Sequence, residues 1–180
     1  MRLDQTRDNL LLRKIMRRRD EIGVYTASNH TPITDITIFE TKDYLTYDEA
    51  VRARFRPFQV GEGWGGGGGN AWFKIGFMVP KAFAGREVTS FFKFGKERDE
   101  ACLFLDGKPF AGLDRFHNEV LLLKNARGGE TFEFVVDARA GAPWDPEGSD
   151  TEYSNEQAIL ERAEIATVNR EVRQYWYSLD

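Results

Sequence analysis

Apolar and polar positions alternate through the middle of the chain. Across residues 71–79, Phe73, Ile75, Phe77 and Val79 alternate with Trp72, Lys74, Gly76 and Met78, and Pro80 ends the run. A period of two is that of a strand with one face turned to a core. It returns in residues 86–94, with Val88, Ser90, Phe92 and Phe94 on one face, and in residues 131–138, where Phe132, Phe134 and Val136 oppose Glu133, Val135 and Asp137. Residues 119–124 form a further strand, and the continuous apolar run 101–105 suits a strand covered on both faces. Asp106-Gly107 directly after it marks a type I′ hairpin turn, which needs positive φ at both central residues. Gly128-Gly129 turns the chain into the last strand. No helical crossover fits between these strands, so they are expected to pair antiparallel. Short strands between regular turn signals predict a sandwich or barrel.

The flanks read differently. Residues 4–22 predict a helix with Leu11, Ile15 and Ile22 on one stripe, flanked by Leu12 and Met16, and Gly23 as its stop. Its other face carries Arg13, Lys14, Arg17, Arg18 and Arg19, followed by Asp20 and Glu21. That face lacks interleaved aromatics and reads as solvated, on a helix docked by its stripe. Ser28–Pro32 is a polar loop holding His30; residues 33–39 are β-like, with Ile36 and Ile38 on one face. Residues 48–54 suit a short helix, and 55–60 an extended piece that Pro57 assigns to an edge. Residues 141–150 read as loop. Ser154-Asn155-Glu156-Gln157 is a capping box that opens a helix running to the chain end, with Ile165, Val168, Val172, Tyr175, Trp176 and Leu179 at helical spacing. The organisation expected is a helix and linker over 1–30, a β-sandwich over 31–150 and a closing linker helix over 151–180. A terminal turn ordinarily frays, yet this one is aromatic. Tyr175, Trp176 and Leu179 are therefore expected to dock on a further domain beyond this chain. The alternative is packing back on the sandwich or the first helix.

Composition narrows the picture. A chain of 180 residues holds one domain with a real core plus helical appendages. Aromatics are 13%, mostly Phe, which favours a well-packed β-rich core. A net charge of −4 gives no overall field for nucleic acid. The single cysteine, Cys102, excludes an intrachain disulfide and reads as a buried, inert thiol. No signal peptide and no membrane span are visible, so the expected compartment is the cytoplasm, with neither nucleic acid nor membrane as partner.

Candidate chemistry is mostly absent. The run Gly65–Gly69 invites a phosphate-loop reading, but no Lys-Ser/Thr follows and the next element is a strand. His30 and His117 sit in no metal spacing, and no G-x-S-x-G is present. The chain therefore reads as a module without a catalytic centre. Aromatic platforms remain, since sugars stack on rings and hydrogen-bond to polar neighbours. Trp64, Trp72 and Trp144 are the candidate platforms, with Arg115 and His117, flanked by Asp114 and Asn118, as polar partners. The competing reading makes the tryptophans core or rim residues, and residues 114–118 a turn bonding its own backbone.

Several segments resemble a known family. Ala71-Trp72-Phe73-Lys74 through Val79-Pro80, Gly85-Arg86-Glu87-Val88 and Leu103–Pro109 look like the jelly-roll domain that accompanies many glycoside hydrolases. Gly112-Leu113-Asp114-Arg115-Phe116-His117-Asn118-Glu119-Val120-Leu121-Leu122 is similar to a stretch in the N-terminal domain of α-mannosidases of glycoside hydrolase family 38. So are Phe58-Gln59-Val60-Gly61 and Val168–Val172. The resemblance implies a galactose-binding-domain-like antiparallel jelly-roll sandwich with flanking helices, belonging to a retaining enzyme that hydrolyses terminal α-D-mannosides. It implies zinc or another divalent metal and an Asp nucleophile in a catalytic domain of the same polypeptide, none of it in this chain. It also implies a mannose-containing carbohydrate as partner through that parent and leaves room for a homo-oligomer. A stand-alone carbohydrate-binding module is the competing function.

Overall fold

The computed structural model describes residues 5–66, 69–95, 100–140 and 157–179, with side chains from Leu10 onward. In chain order its elements are α1 (Gln5–Gly23), β1 (Ala27–Pro32), β2 (Asp35–Thr41), α2 (Tyr47–Ala50), β3 (Arg56–Pro57), β4 (Gly63–Trp64) and β5 (Asn70–Met78). Then come β6 (Glu87–Lys93), β7 (Glu100–Leu105), β8 (Lys108–Leu113), β9 (Glu119–Leu123), β10 (Thr131–Arg139), β11 (Ala158–Ile159), β12 (Arg162–Val168) and α3 (Arg170–Tyr177). Two sheets carry the fold: a four-stranded sheet in the order β1-β12-β6-β9 and a six-stranded sheet in the order β3-β2-β5-β10-β7-β8. All pairings are antiparallel. This is the expected jelly-roll sandwich with a helix at either end. Among the described residues, no helix is long and apolar enough to cross a membrane.

The core lies between the sheets. Ile36, Ile38, Phe73, Ile75, Leu103, Phe134 and Val136 from one sheet meet Val88, Phe92, Val120, Ala163 and Ile165 from the other. Phe73 is a hub, its ring centroid 5.6, 5.5 and 5.1 Å from those of Phe58, Trp64 and Phe94. The opposite face of β5 is also covered where the chain returns over it: Trp72 and Val135 pack with Ala50, Leu45, Tyr47, Val51 and Phe55. The Asp106-Gly107 turn has φ of 51° and 73°, as a type I′ hairpin between β7 and β8 requires. Pro57 sits in edge strand β3, where its missing N–H disrupts no central ladder.

Three expectations are corrected. The closing helix does not span the end of the chain: residues 158–159 and 162–168 are strands, and α3 begins only at Arg170. In β12, Ala163 and Ile165 reach the core, and the strand fills the gap between β1 and β6, so sheet pairing overrides the local helical spacing. The capping-box residues Ser154–Glu156 lie outside the described residues. Ser28–Pro32 is strand rather than loop, an edge strand whose polar side chains face solvent and whose His30 Nδ1 lies 2.8 Å from the Glu164 carboxylate. The stripe of α1 is not docked along its length: Leu10, Leu11, Leu12 and Met16 are all more than half exposed, and only its C-terminal end meets α3.

Candidate functional site

The sequence-derived platform does not assemble. Trp64 is fully buried; its Nε1 donates to the Phe94 carbonyl at 2.7 Å and its ring stands edge-on to Phe73. Pairing of β4 with β11 holds it there. A ring with no exposed face cannot stack on a sugar, so this candidate is corrected to a core residue. Trp72 points to the opposite side of the six-stranded sheet and is 2% exposed, beneath the segment around α2. It offers no open platform either. Trp144 lies outside the described residues.

Arg115 and His117 are exposed, in the turn between β8 and β9. One carboxylate oxygen of Asp114 accepts from the backbone N–H groups of Phe116 and His117, each at 2.7 Å, and the other lies 3.0 Å from His117 Nδ1. The His117 side chain, with these backbone bonds, holds the Asp114 carboxyl below its ordinary pKa. The Arg115 guanidinium lies 4.3 Å from the Phe116 ring centroid. These groups serve one another, in the self-bonded turn that was the competing reading.

An aromatic junction forms nearby. The last turn of α1 reaches α3, where the Arg19 guanidinium sits 4.3 Å over the Trp176 ring. A side chain at Gly23 would start 3.1 Å from Trp176 Nε1, so its lack of one admits the indole. Asn169 caps α3 by accepting from the Val172 N–H, and α3 is tied to the four-stranded sheet by Arg170–Glu87 and Arg173–Glu119 pairs. A cleft of about 410 Å³ opens there, lined by Arg19, Phe116, Glu119, Arg173, Trp176 and Tyr177. Phe116 is 71% exposed, Tyr175 56% and Tyr177 51%. Trp176 and Leu179 are half-buried. Thus Trp176 packs back on the first helix, while Tyr175 faces solvent. The sequence had singled out the α3 aromatics; it could not show Phe116 and Arg19 beside them, because three separate segments build the cleft.

No reaction centre is assembled among the described residues. Among the described residues, no three His, Cys, Asp or Glu side chains are grouped to hold a metal. Burial, with the nearby Asp137 charge, pushes the Cys102 thiol up, opposite to what a nucleophile needs. A depression of about 1050 Å³ is an open groove past Asp35, Lys74, Gly76, Met78 and Glu133. Lys74 Nζ is committed there to the Val51 carbonyl at 3.1 Å.

A family model described as alpha-mannosidase, jelly roll domain, matches residues 31–166. Human alpha-mannosidase 2C1 is 28% identical over 156 residues, which is 83% of this chain and 15% of the human protein. Alpha-mannosidase G of Dictyostelium discoideum is 26% identical over 98 residues, 52% of this chain and 9% of that protein. The chain therefore spans a small part of the length of these relatives. Among solved structures, a beta-glucuronidase from an uncultured Clostridium sp. superposes with a TM-score of 0.55 at 15% identity, over 80% of this chain and 30% of that one. The beta-glucuronidase of Faecalibacterium prausnitzii does so at 0.52 and 13%, over 77% and 31%. At such identities the likeness is one of fold alone.

Proposed function

Because the chain belongs to the alpha-mannosidase jelly roll domain family, we propose that it is the non-catalytic sandwich of a retaining α-mannosidase acting on terminal α-D-mannosides. Its own work is to dock on the catalytic domain of the same polypeptide and help shape the substrate entrance. The observation that carries this reading is the junction of α1, α3 and the β8–β9 turn, where Phe116 and Tyr177 stand exposed around one cleft and Tyr175 is exposed on the same short helix. Exposed aromatics grouped in this way mark interaction surfaces. The stripe of α1 extends the same surface: Met16 and Leu12 lie one and two turns up the helix from the contact with Trp176, on the face that carries Arg19 and Gly23.

The zinc or other divalent metal of such an enzyme has no fitting donor set in the described residues. His30 is engaged by Glu164 and His117 by Asp114, on different elements. The metal is proposed to belong to the catalytic domain, as the resemblance implies, and the compartment proposed is the cytoplasm. The competing reading, a free carbohydrate-binding module with an open aromatic platform, loses Trp64 and Trp72 to burial.

The test pairs two contexts. Phe116→Ser with Tyr175→Ser is introduced into this chain and into the full-length enzyme. Both side chains are largely solvated here, so the melting temperature of this chain should move by no more than about 2 °C. In the full-length enzyme the same pair should lower the melting temperature clearly and reduce hydrolysis of an aryl α-mannoside. Equal shifts in both contexts, or no effect in the enzyme, would overturn the docking reading.

A further inference from the structure

A second cavity lies on the outer face of the six-stranded sheet, away from the aromatic junction. Its floor is built from two neighbouring rungs of the ladder. One rung sets Asn70, Arg139 and Glu100 side by side on β5, β10 and β7; the next outward-facing rung sets Trp72, Asp137 and Cys102. Residues two apart on a strand share a face, so both rungs point outward together. Asp43, Tyr44 and Leu45, from the segment after β2, complete the wall of a cavity of about 350 Å³. That is the small end of the range for ligand sites, one ring rather than a chain.

The lining is polar in a way that the fold does not need. Asn70 is 7% exposed and lines the cavity. Asp137 is half-buried, with no ion pair among the described residues, and burial pushes its carboxyl up. Trp72 gives an apolar patch to the floor, and Tyr44, 79% exposed, stands on the rim with the Arg139 guanidinium 5.7 Å from its ring centroid.

We propose that this cavity binds a small neutral polyhydroxylated molecule, a monosaccharide or polyol. Asn70 both donates and accepts, Asp137 and Glu100 accept, and Arg139 donates, so adjacent hydroxyls find partners of both kinds. The C–H face of such a ligand suits the exposed ring of Tyr44. Three carboxylates against one guanidinium disfavour an anion, and no metal-holding group of side chains is present among the described residues. The inference does not rest on the docking reading, since none of its residues line the aromatic junction.

Cys102 makes the proposal directly testable: it is the only thiol of the chain and it lines the cavity. Hexoses, pentoses and linear polyols are titrated into the whole chain by calorimetry. In parallel, the rate of Cys102 alkylation by iodoacetamide is followed with and without each compound, and with methylammonium as a cationic probe. Expected are saturable binding of at least one sugar or polyol in the millimolar range, slower alkylation of Cys102 by the same compound, and tenfold or greater weakening of both in Asn70→Ala and in Asp137→Ala. Circular dichroism confirms that each variant is folded, and the second variant stands in if the first is not. Failure of every sugar and polyol to bind or protect would overturn the proposal. So would protection by methylammonium alone, or sugar binding that survives both substitutions.

Discussion

Trp64→Phe separates a core tryptophan from a ligand platform. The substitution keeps an aromatic ring against Phe73 but deletes the Nε1 donor that meets the Phe94 carbonyl at 2.7 Å in a fully buried position. Leaving that carbonyl without its donor costs about 1–3 kcal/mol. The smaller ring leaves a void among Phe73, Phe94 and their neighbours, adding about 1 kcal/mol, well below the 3–5 kcal/mol of truncation to Ala. The sum is about 3 kcal/mol. For a chain of this size each kcal/mol moves the melting temperature by about 2–4 °C, so Trp64→Phe should melt about 6–12 °C below the parent. The assay is thermal and urea unfolding followed by far-ultraviolet circular dichroism, because fluorescence would change with the loss of one tryptophan. A variant within about 0.5 kcal/mol of the parent would refute the assignment of Trp64 to the core.

Three further outcomes follow from the same kind of accounting. Thr89 is 1% exposed in β6 and its hydroxyl has no hydrogen-bond partner among the described residues, so Thr89→Val should stabilise the chain by about 1 kcal/mol in urea unfolding; destabilisation would point to a partner for that hydroxyl. Gly128 has φ of 81°, and a Cβ there would lie 2.7 Å from the Lys81 Cα, a backbone atom that cannot swing aside; Gly128→Ala should cost about 2 kcal/mol or more, and an unchanged urea midpoint would contradict the geometry. Asp137 is raised by burial, so the folded state holds its proton more tightly than the unfolded state. Its contribution favours folding at low pH and is lost as pH rises through the raised pKa. Asp137→Asn should therefore be the more stable form at neutral pH, with its advantage shrinking as pH falls through the raised pKa and gone below the ordinary carboxylate value; an advantage that grows with acid would refute the sign.

What the sequence disclosed depends on how locally each element is determined. β5 and β10 announce themselves because one face of each is apolar at every second position, and the β7–β8 turn because Asp106-Gly107 fits only one geometry. β12 was hidden. Its Arg-Ala-Glu-Ile-Ala-Thr-Val sequence mixes good helix formers with β-branched residues, and it is a strand because two neighbours offer it a complete ladder. β1 was hidden for the opposite reason: a polar edge strand has no buried face to write a pattern. The candidate sites fared by the same rule. A tryptophan beside a glycine run carries no mark of whether it turns inward, so Trp64 could not be placed from sequence. The outer-face cavity was invisible because Asn70, Asp137 and Cys102 become neighbours only through the registers of three strands.

Those registers also keep the two proposed activities separable. The aromatic junction is held by the four-stranded sheet, through Glu87 on β6, Glu119 on β9 and the turn from β12 into α3. The cavity sits on the outer face of the other sheet, with the packed core between them. Substitutions on surfaces that share no contacts act independently. Phe116→Ser with Tyr175→Ser should therefore leave sugar protection of Cys102 unchanged, and Asn70→Ala should leave association with the catalytic domain unchanged. Coupling in either direction would require the two sheets to shift against each other. A core in which Phe73, Phe94, Trp64 and Phe58 interlock at ring distances of 5.1–5.6 Å resists such a shift. A measured coupling would therefore locate the fault in the separation of the surfaces and leave the core assignment standing.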